Sequence, residues 1–166
     1  MPDVRSNKMI TSADNFRKQL MCLDPYADEF VIQADELVEQ LSPEIADSVY
    51  LAIFEFFETA PDADCGAPGT LVHHVEDYYP NYLSALKDSV RRKPSYHSVL
   101  MINRILNSDL VDAERSELME ILRATVADRA APDEVIEMAE GFIERREQID
   151  SEQGGAGQTA TRSESK

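Results

Sequence analysis

The one cluster of metal-ligating side chains in this 166-residue sequence is His73-His74-Val75-Glu76-Asp77, close behind Asp62-Ala63-Asp64-Cys65. On a helix, His73 and Asp77 stand at i and i+4 on one face, a spacing at which two side chains can share a divalent ion. The zinc-protease spacing His-Glu-x-x-His is absent. Asp62-Ala63-Asp64-Cys65-Gly66 lacks the third ligand and the correctly placed glycine of a calcium loop. Cys65 is surrounded by carboxylates, which raise a thiol pKa rather than lower it, and there is no Gly-x-Ser-x-Gly elbow. Gly66-Ala67-Pro68-Gly69 has no lysine to complete a phosphate loop. The bland alternative is an acidic helix whose histidines hydrogen-bond locally. The expectation is accordingly no catalytic residue, no metal site and no cofactor, with a metal-dependent enzyme built on His73-His74 as the least favoured alternative.

Charge is the stronger signal. Residues 19–86 contain 14 carboxylates and no lysine or arginine, leaving 18 of the 32 acids against all 16 bases in the rest of the chain. Almost the whole formal charge of −16 therefore originates in one continuous block. Such a surface repels nucleic acid and anionic lipid and attracts a basic protein. Tyr78, Tyr79, Tyr82 and Tyr96 follow the acidic loop, and tyrosine beside carboxylate suits recognition of a cationic partner, although each ring has an equally good reading as interhelical packing. Arg91-Arg92-Lys93, the dense basic run, reads as a complement to a helix C-terminus and to the acidic block rather than as a nucleic-acid patch.

The length fits one domain with a core of its own. Cys22 and Cys65 form no Cys-x-x-Cys pair, which argues against a disulfide framework or thiolate zinc site. No apolar run approaches the roughly 20 residues of a membrane-spanning helix, and the polar N-terminus lacks a secretory apolar core, so the expected compartment is the cytoplasm.

The elements that must carry these residues read as helices throughout. Thr11 or Ser12 caps a short helix with Phe16 and Leu20 on one face. Asp24-Pro25 starts a second, with Phe30, Ala34, Leu37, Val38 and Leu41 as its stripe. Ser42-Pro43 starts a third, apolar over most of its circumference from Ile45 to Phe57 and hence the expected hub. A loop over 61–69 follows, holding two prolines and two glycines. Beyond it come a helix capped by Thr70 with Leu71, Val72 and Val75 inward, and one capped by Asn81 with Tyr82, Leu83, Leu86 and Val90 inward. The chain restarts at Pro94-Ser95, again near Asp112, and at Pro132 for a last helix carrying Val135, Met138, Ala139 and Phe142. With no alternating segment, the fold class is all-α: seven or eight helices in successive antiparallel pairs, with a HEAT-like stack as its variant form. The expected organisation is a flexible stretch over 1–10, one helical domain over 11–150, and a disordered polar tail over 151–166.

The segments Phe56-Phe57-Glu58-Thr59-Ala60-Pro61-Asp62-Ala63-Asp64-Cys65-Gly66-Ala67-Pro68-Gly69-Thr70-Leu71-Val72-His73-His74-Val75-Glu76 and Arg92-Lys93-Pro94-Ser95-Tyr96-His97-Ser98-Val99-Leu100-Met101-Ile102-Asn103-Arg104-Ile105-Leu106-Asn107-Ser108 resemble small all-α immunity proteins of bacterial polymorphic-toxin and contact-dependent inhibition systems. The resemblance covers about 45–122. It implies a non-catalytic cytoplasmic protein that neutralises a cognate toxin domain by covering its active site or another essential surface. Many such toxin domains attack nucleic acid through basic clefts, which is where the resemblance meets the charge argument. The expected partner-binding residues are Asp62, Asp64, Glu76, Asp77, Tyr78, Tyr79 and Tyr82. A helical-repeat adaptor for an unspecified partner is the alternative.

Overall fold

A computed structural model of the chain describes residues 9–156. Eight helices succeed one another: α1 Ala13–Leu20, α2 Phe30–Glu39, α3 Tyr50–Thr59, α4 Gly69–Glu76, α5 Leu83–Arg92, α6 Tyr96–Leu106, α7 Asp112–Ala127 and α8 Asp133–Ala156. The only β-type pairing among the described residues is a single bridge between Ile10 and Leu41. There Ile10 N–H donates to the Gln40 carbonyl at 2.6 Å, and Ser42 N–H donates to the Ile10 carbonyl at 2.9 Å.

The helices stack in two rows. α1, α3, α5 and α7 pack in that order along one, while α2 packs on α4 and α6 on α8 along the other. The second row is interrupted between α4 and α6, and α3 also leans across to α6. Helix pairs stacked so that each element meets the next but one are the arrangement of a HEAT-like stack. One apolar cluster runs through all eight helices. α3 is its hub: Ala52, Ile53, Phe54, Phe56 and Phe57 are all buried, with Phe56 stacked on Phe30 of α2 at 5.6 Å between ring centroids and Phe54 edge-on to Tyr82 at 6.3 Å.

Two expected helix starts are displaced, for one physical reason. Asp24 receives the Tyr26 N–H on its carboxylate at 3.0 Å and the Ala27 N–H on its carbonyl at 3.2 Å. These bonds close a turn, and α2 begins only at Phe30. Ser42 likewise spends its hydroxyl on the Glu44 carboxylate, and a succession of turns carries Ile45 and Val49 before α3 opens at Tyr50. A short polar side chain followed by proline stabilises a turn as readily as a helix cap. The start at Ser95 is as expected, with a reciprocal capping box between Ser95 and Ser98. Thr70 lies inside α4 rather than capping it, and Tyr82, not Asn81, precedes α5.

The ends are more ordered than their composition implies. Ile10, expected in a flexible stretch, is 1% exposed. Residues 151–156, expected in a disordered tail, continue α8, where the Ser151 hydroxyl donates to the Gln148 carbonyl at 2.8 Å. The remainder of the expected flexible ends, 1–8 and 157–166, lies outside the described residues.

Candidate partner-binding surface

The loop between α3 and α4 is held from beneath by α6. Tyr96 N–H donates to the Pro61 carbonyl at 2.7 Å, and Cys65 N–H donates to His97 Nε2 at 2.9 Å. Nε2 is thus the acceptor, so the proton of the neutral ring sits on Nδ1. Nδ1 is buried without a hydrogen-bond partner among the described residues. Burial pushes the His97 pKa down to about 4 and the Cys65 thiol up to about 12, so the ring stays neutral and the thiol unreactive at pH 7. Gly66 and Gly69 both take positive φ, at 85° and 77°, a conformation L side chains rarely adopt. A Cβ on Gly66 would also lie 3.2 Å from the Gly69 Cα and 3.5 Å from Val31 Cγ2, which fixes the loop against the start of α2.

That anchoring turns Asp62 and Asp64 outward. Asp64 accepts the Gly66 N–H at 3.1 Å, and Asp62 accepts the Tyr26 hydroxyl at 2.6 Å. The carboxylate beside it raises the Tyr26 pKa, keeping the phenol a donor. Asp77 is exposed at the end of α4.

The expected site divides here. Glu76 is not a free carboxylate: Arg104 of α6 grips both its oxygens, and His73 Nδ1 stands 3.6 Å away. Tyr82 is 2% exposed, its hydroxyl pushed up to about 12 mainly by burial, and it belongs to the core. It packs rather than binds because the interruption between α4 and α6 is where its ring fits, beside Phe54 and Tyr79. Tyr78 is half-buried against the His74 ring at 5.4 Å, leaving Tyr79, 47% exposed, as the accessible tyrosine of the expected trio. His73 and His74 do not converge: His74 Nε2 lies 2.7 Å from the Ala46 carbonyl, while His73 faces Glu76. Among the described residues no three metal-ligating side chains come together.

In place of Glu76 and Tyr82 the fold brings up the start of α2. Phe30, Ala34 and Leu37 point inward, leaving Val31 and Ile32 41% and 62% exposed beside Asp28, Glu29 and Asp35, with Tyr26 64% exposed at the clasp to Asp62. The signal was present in the sequence: Phe30-Val31-Ile32 is an apolar run on a helix whose buried stripe needs only the first of the three.

Pairing narrows the acidic block further. Of its 14 carboxylates, Glu55 binds Arg17, Glu58 binds Arg92 and Glu76 binds Arg104, so 11 have no cationic partner among the described residues. Arg91 turns instead to Glu117, outside the block. Among the described residues no helix is long and apolar enough to cross a membrane.

No family model, curated protein or solved structure matches this chain.

Proposed function

We propose that the chain is an immunity-type protein that binds and neutralises a cationic toxin domain, such as a nuclease with a basic cleft. The observation that carries the reading is the surface where the 24–35 segment meets the 62–66 loop. Solvent-exposed Tyr26, Val31 and Ile32 lie among Asp28, Glu29, Asp35, Asp62 and Asp64, none of which has a basic partner among the described residues. An apolar centre bordered by like charge supplies both parts of a protein interface. The aromatic and aliphatic atoms lose water on docking, and the carboxylates attract and orient a basic surface before contact. The mutual repulsion of the carboxylates, which opposes the fold while they are free, is relieved when cations are set against them. Neutralisation follows from occupancy: a cleft whose lysines and arginines face these carboxylates no longer admits phosphate.

The test takes the product of the adjacent gene as the candidate toxin, with growth rescue on co-expression and association rates measured on the purified pair. Raising salt from low to high should slow association by about 10- to 1,000-fold, and Asp28→Lys with Asp35→Lys should do the same at low salt. Rates indifferent to both changes would exclude this surface. The second reading, a helical-repeat adaptor, is favoured by the two-row stack of helices. It predicts binding to a partner without rescue of growth.

A further inference from the structure

A second surface, remote in sequence from the acidic block, has the opposite character. A groove of about 620 Å³ runs between α6 and the middle of α8, within the size range of small-molecule sites. Met138, Phe142 and Ile149 of α8 give it an apolar floor, and the Asn103 and Asn107 amides stand on its α6 side. Arg146 is committed to the scaffold, donating to the Leu106 carbonyl at 2.7 Å and to Asn107 Oδ1 at 2.8 Å. The second of these bonds leaves the Asn107 NH₂ available as a donor.

Two residues of this groove are unexplained by folding. Arg145 lines it and makes no ion pair among the described residues. The positions one turn before and after it are Gly141, Phe142, Gln148 and Ile149, so its own helix offers no carboxylate, in a chain with twice as many acids as bases. Gly141 sits in the interior of a 24-residue helix, where glycine costs about 1 kcal/mol relative to alanine. A Cβ placed on it would meet nothing within 4 Å. Packing therefore does not require the glycine; what it does is keep the groove open beside the uncommitted Arg145 guanidinium.

We propose that this groove binds a monocarboxylate with an extended apolar body. The carboxylate is held by Arg145 and the asparagine amides, and the body lies along Met138 and Phe142 past Gly141. From Met138 to Ile149 the helix rises about 17 Å, room for a medium-length alkyl chain lying parallel to it. An anion is selected because the uncommitted charge of the groove is the Arg145 guanidinium, which matches a carboxylate in two-point geometry, and the asparagine NH₂ groups can add donors beside it. The site is independent of the acidic surface and of any toxin.

Octanoate is the probe, with 1-octanol as the uncharged control, each titrated into the ¹⁵N-labelled protein and followed by amide shifts. Octanoate should move resonances of 103–107 and 138–149, with 1-octanol at least tenfold weaker. Arg145→Gln should weaken octanoate at least tenfold. Gly141→Leu, which extends into open space and favours the helix, should abolish binding while raising Tm, so a loss there is not a loss of fold. Equal binding of octanoate and octanol, undiminished binding by either variant, or shifts confined to other helices would overturn the proposal.

Discussion

The two halves of the molecule solve burial and charge differently. Five of the six phenylalanines are buried before residue 60 and are joined by Tyr82, so the first half closes on aromatic rings. The second closes on aliphatic side chains such as Met101, Ile102, Leu118, Leu122 and Val135. The first half has short helices entered through turns and a surface almost without bases. The second has the long helices α7 and α8, with ion pairs made within itself, Lys87 and Arg91 to Glu117 and Arg123 to Glu147. The difference teaches that acids and bases are mixed in only one half, the other holding almost the whole excess of acid. What the second half lends to the first is a few fixed points, Arg92 to Glu58, Arg104 to Glu76 and His97 to the Cys65 amide, and elsewhere the acids of the first half face outward.

Breaking the aromatic core should have the largest effect. Phe56→Ala removes a ring that is 2% exposed and stacked on Phe30, and should cost about 3–5 kcal/mol in urea unfolding. Ile102→Val in the aliphatic half should cost about 0.5–1.5 kcal/mol. If the two costs are equal, the aromatic half is not the tighter one.

The fixed point at His97 should show itself through pH. The unfolded ring takes up a proton near 6.5, while the folded ring resists until about 4. Between these values the unfolded state binds more protons, so stability falls as pH falls, by about 3 kcal/mol over the whole window and about 2 by pH 5. The contribution is present in full above pH 6.5. Unfolding midpoints of wild type and His97→Gln, compared at pH 7 and pH 5, isolate it, and identical pH slopes in the two proteins would refute it.

The contact at Glu58 is the smallest and sharpest test of the seam. Its carboxylate, 13% exposed, accepts the Ser89 hydroxyl at 2.6 Å and two Arg92 N–H groups at 2.6 and 3.0 Å. Glu58→Gln should cost about 1–3 kcal/mol, because it removes the charge and one of the two oxygens that accept from the buried Ser89 hydroxyl and the Arg92 guanidinium. The exposed Lys18–Asp14 pair, cut by Asp14→Asn, should leave the unfolding midpoint almost unchanged. A Glu58 effect no larger than that one would mean that the Arg92 contact adds nothing to the joining of the halves.

The helical class, the hub at α3 and the loop over 61–69 were legible because period, proline and glycine are local signals. Where α2 and α3 begin was not, since Asp24 and Ser42 make turn and cap bonds with equal ease, and at Ser42 the backbone is further drawn into the bridge with Ile10. Asp62, Asp64, Asp77 and Tyr79 are exposed as expected. Glu76 was expected at the partner surface because sequence does not say that Arg104, 28 residues away, closes on it, whereas Tyr82 carried two readings, inward on its helix stripe and partner-binding, and its packing against Phe54 and Tyr79 decides for the first. Tyr26, Val31 and Ile32 come to the loop by the same tertiary route.

The Tyr26 hydroxyl occupies Oδ1 of Asp62, one of the two oxygens that a guanidinium of the proposed partner would take in two-point geometry. A partner that takes this carboxylate unfastens the turn at 24–29 from the loop and spends part of its affinity in doing so. By reciprocity, whatever stiffens the clasp weakens the partner by the same factor, and whatever loosens it strengthens the partner. On the proposed reading Tyr26 would be a tuning position, at which firmness of the free protein and avidity for a cationic partner trade against each other.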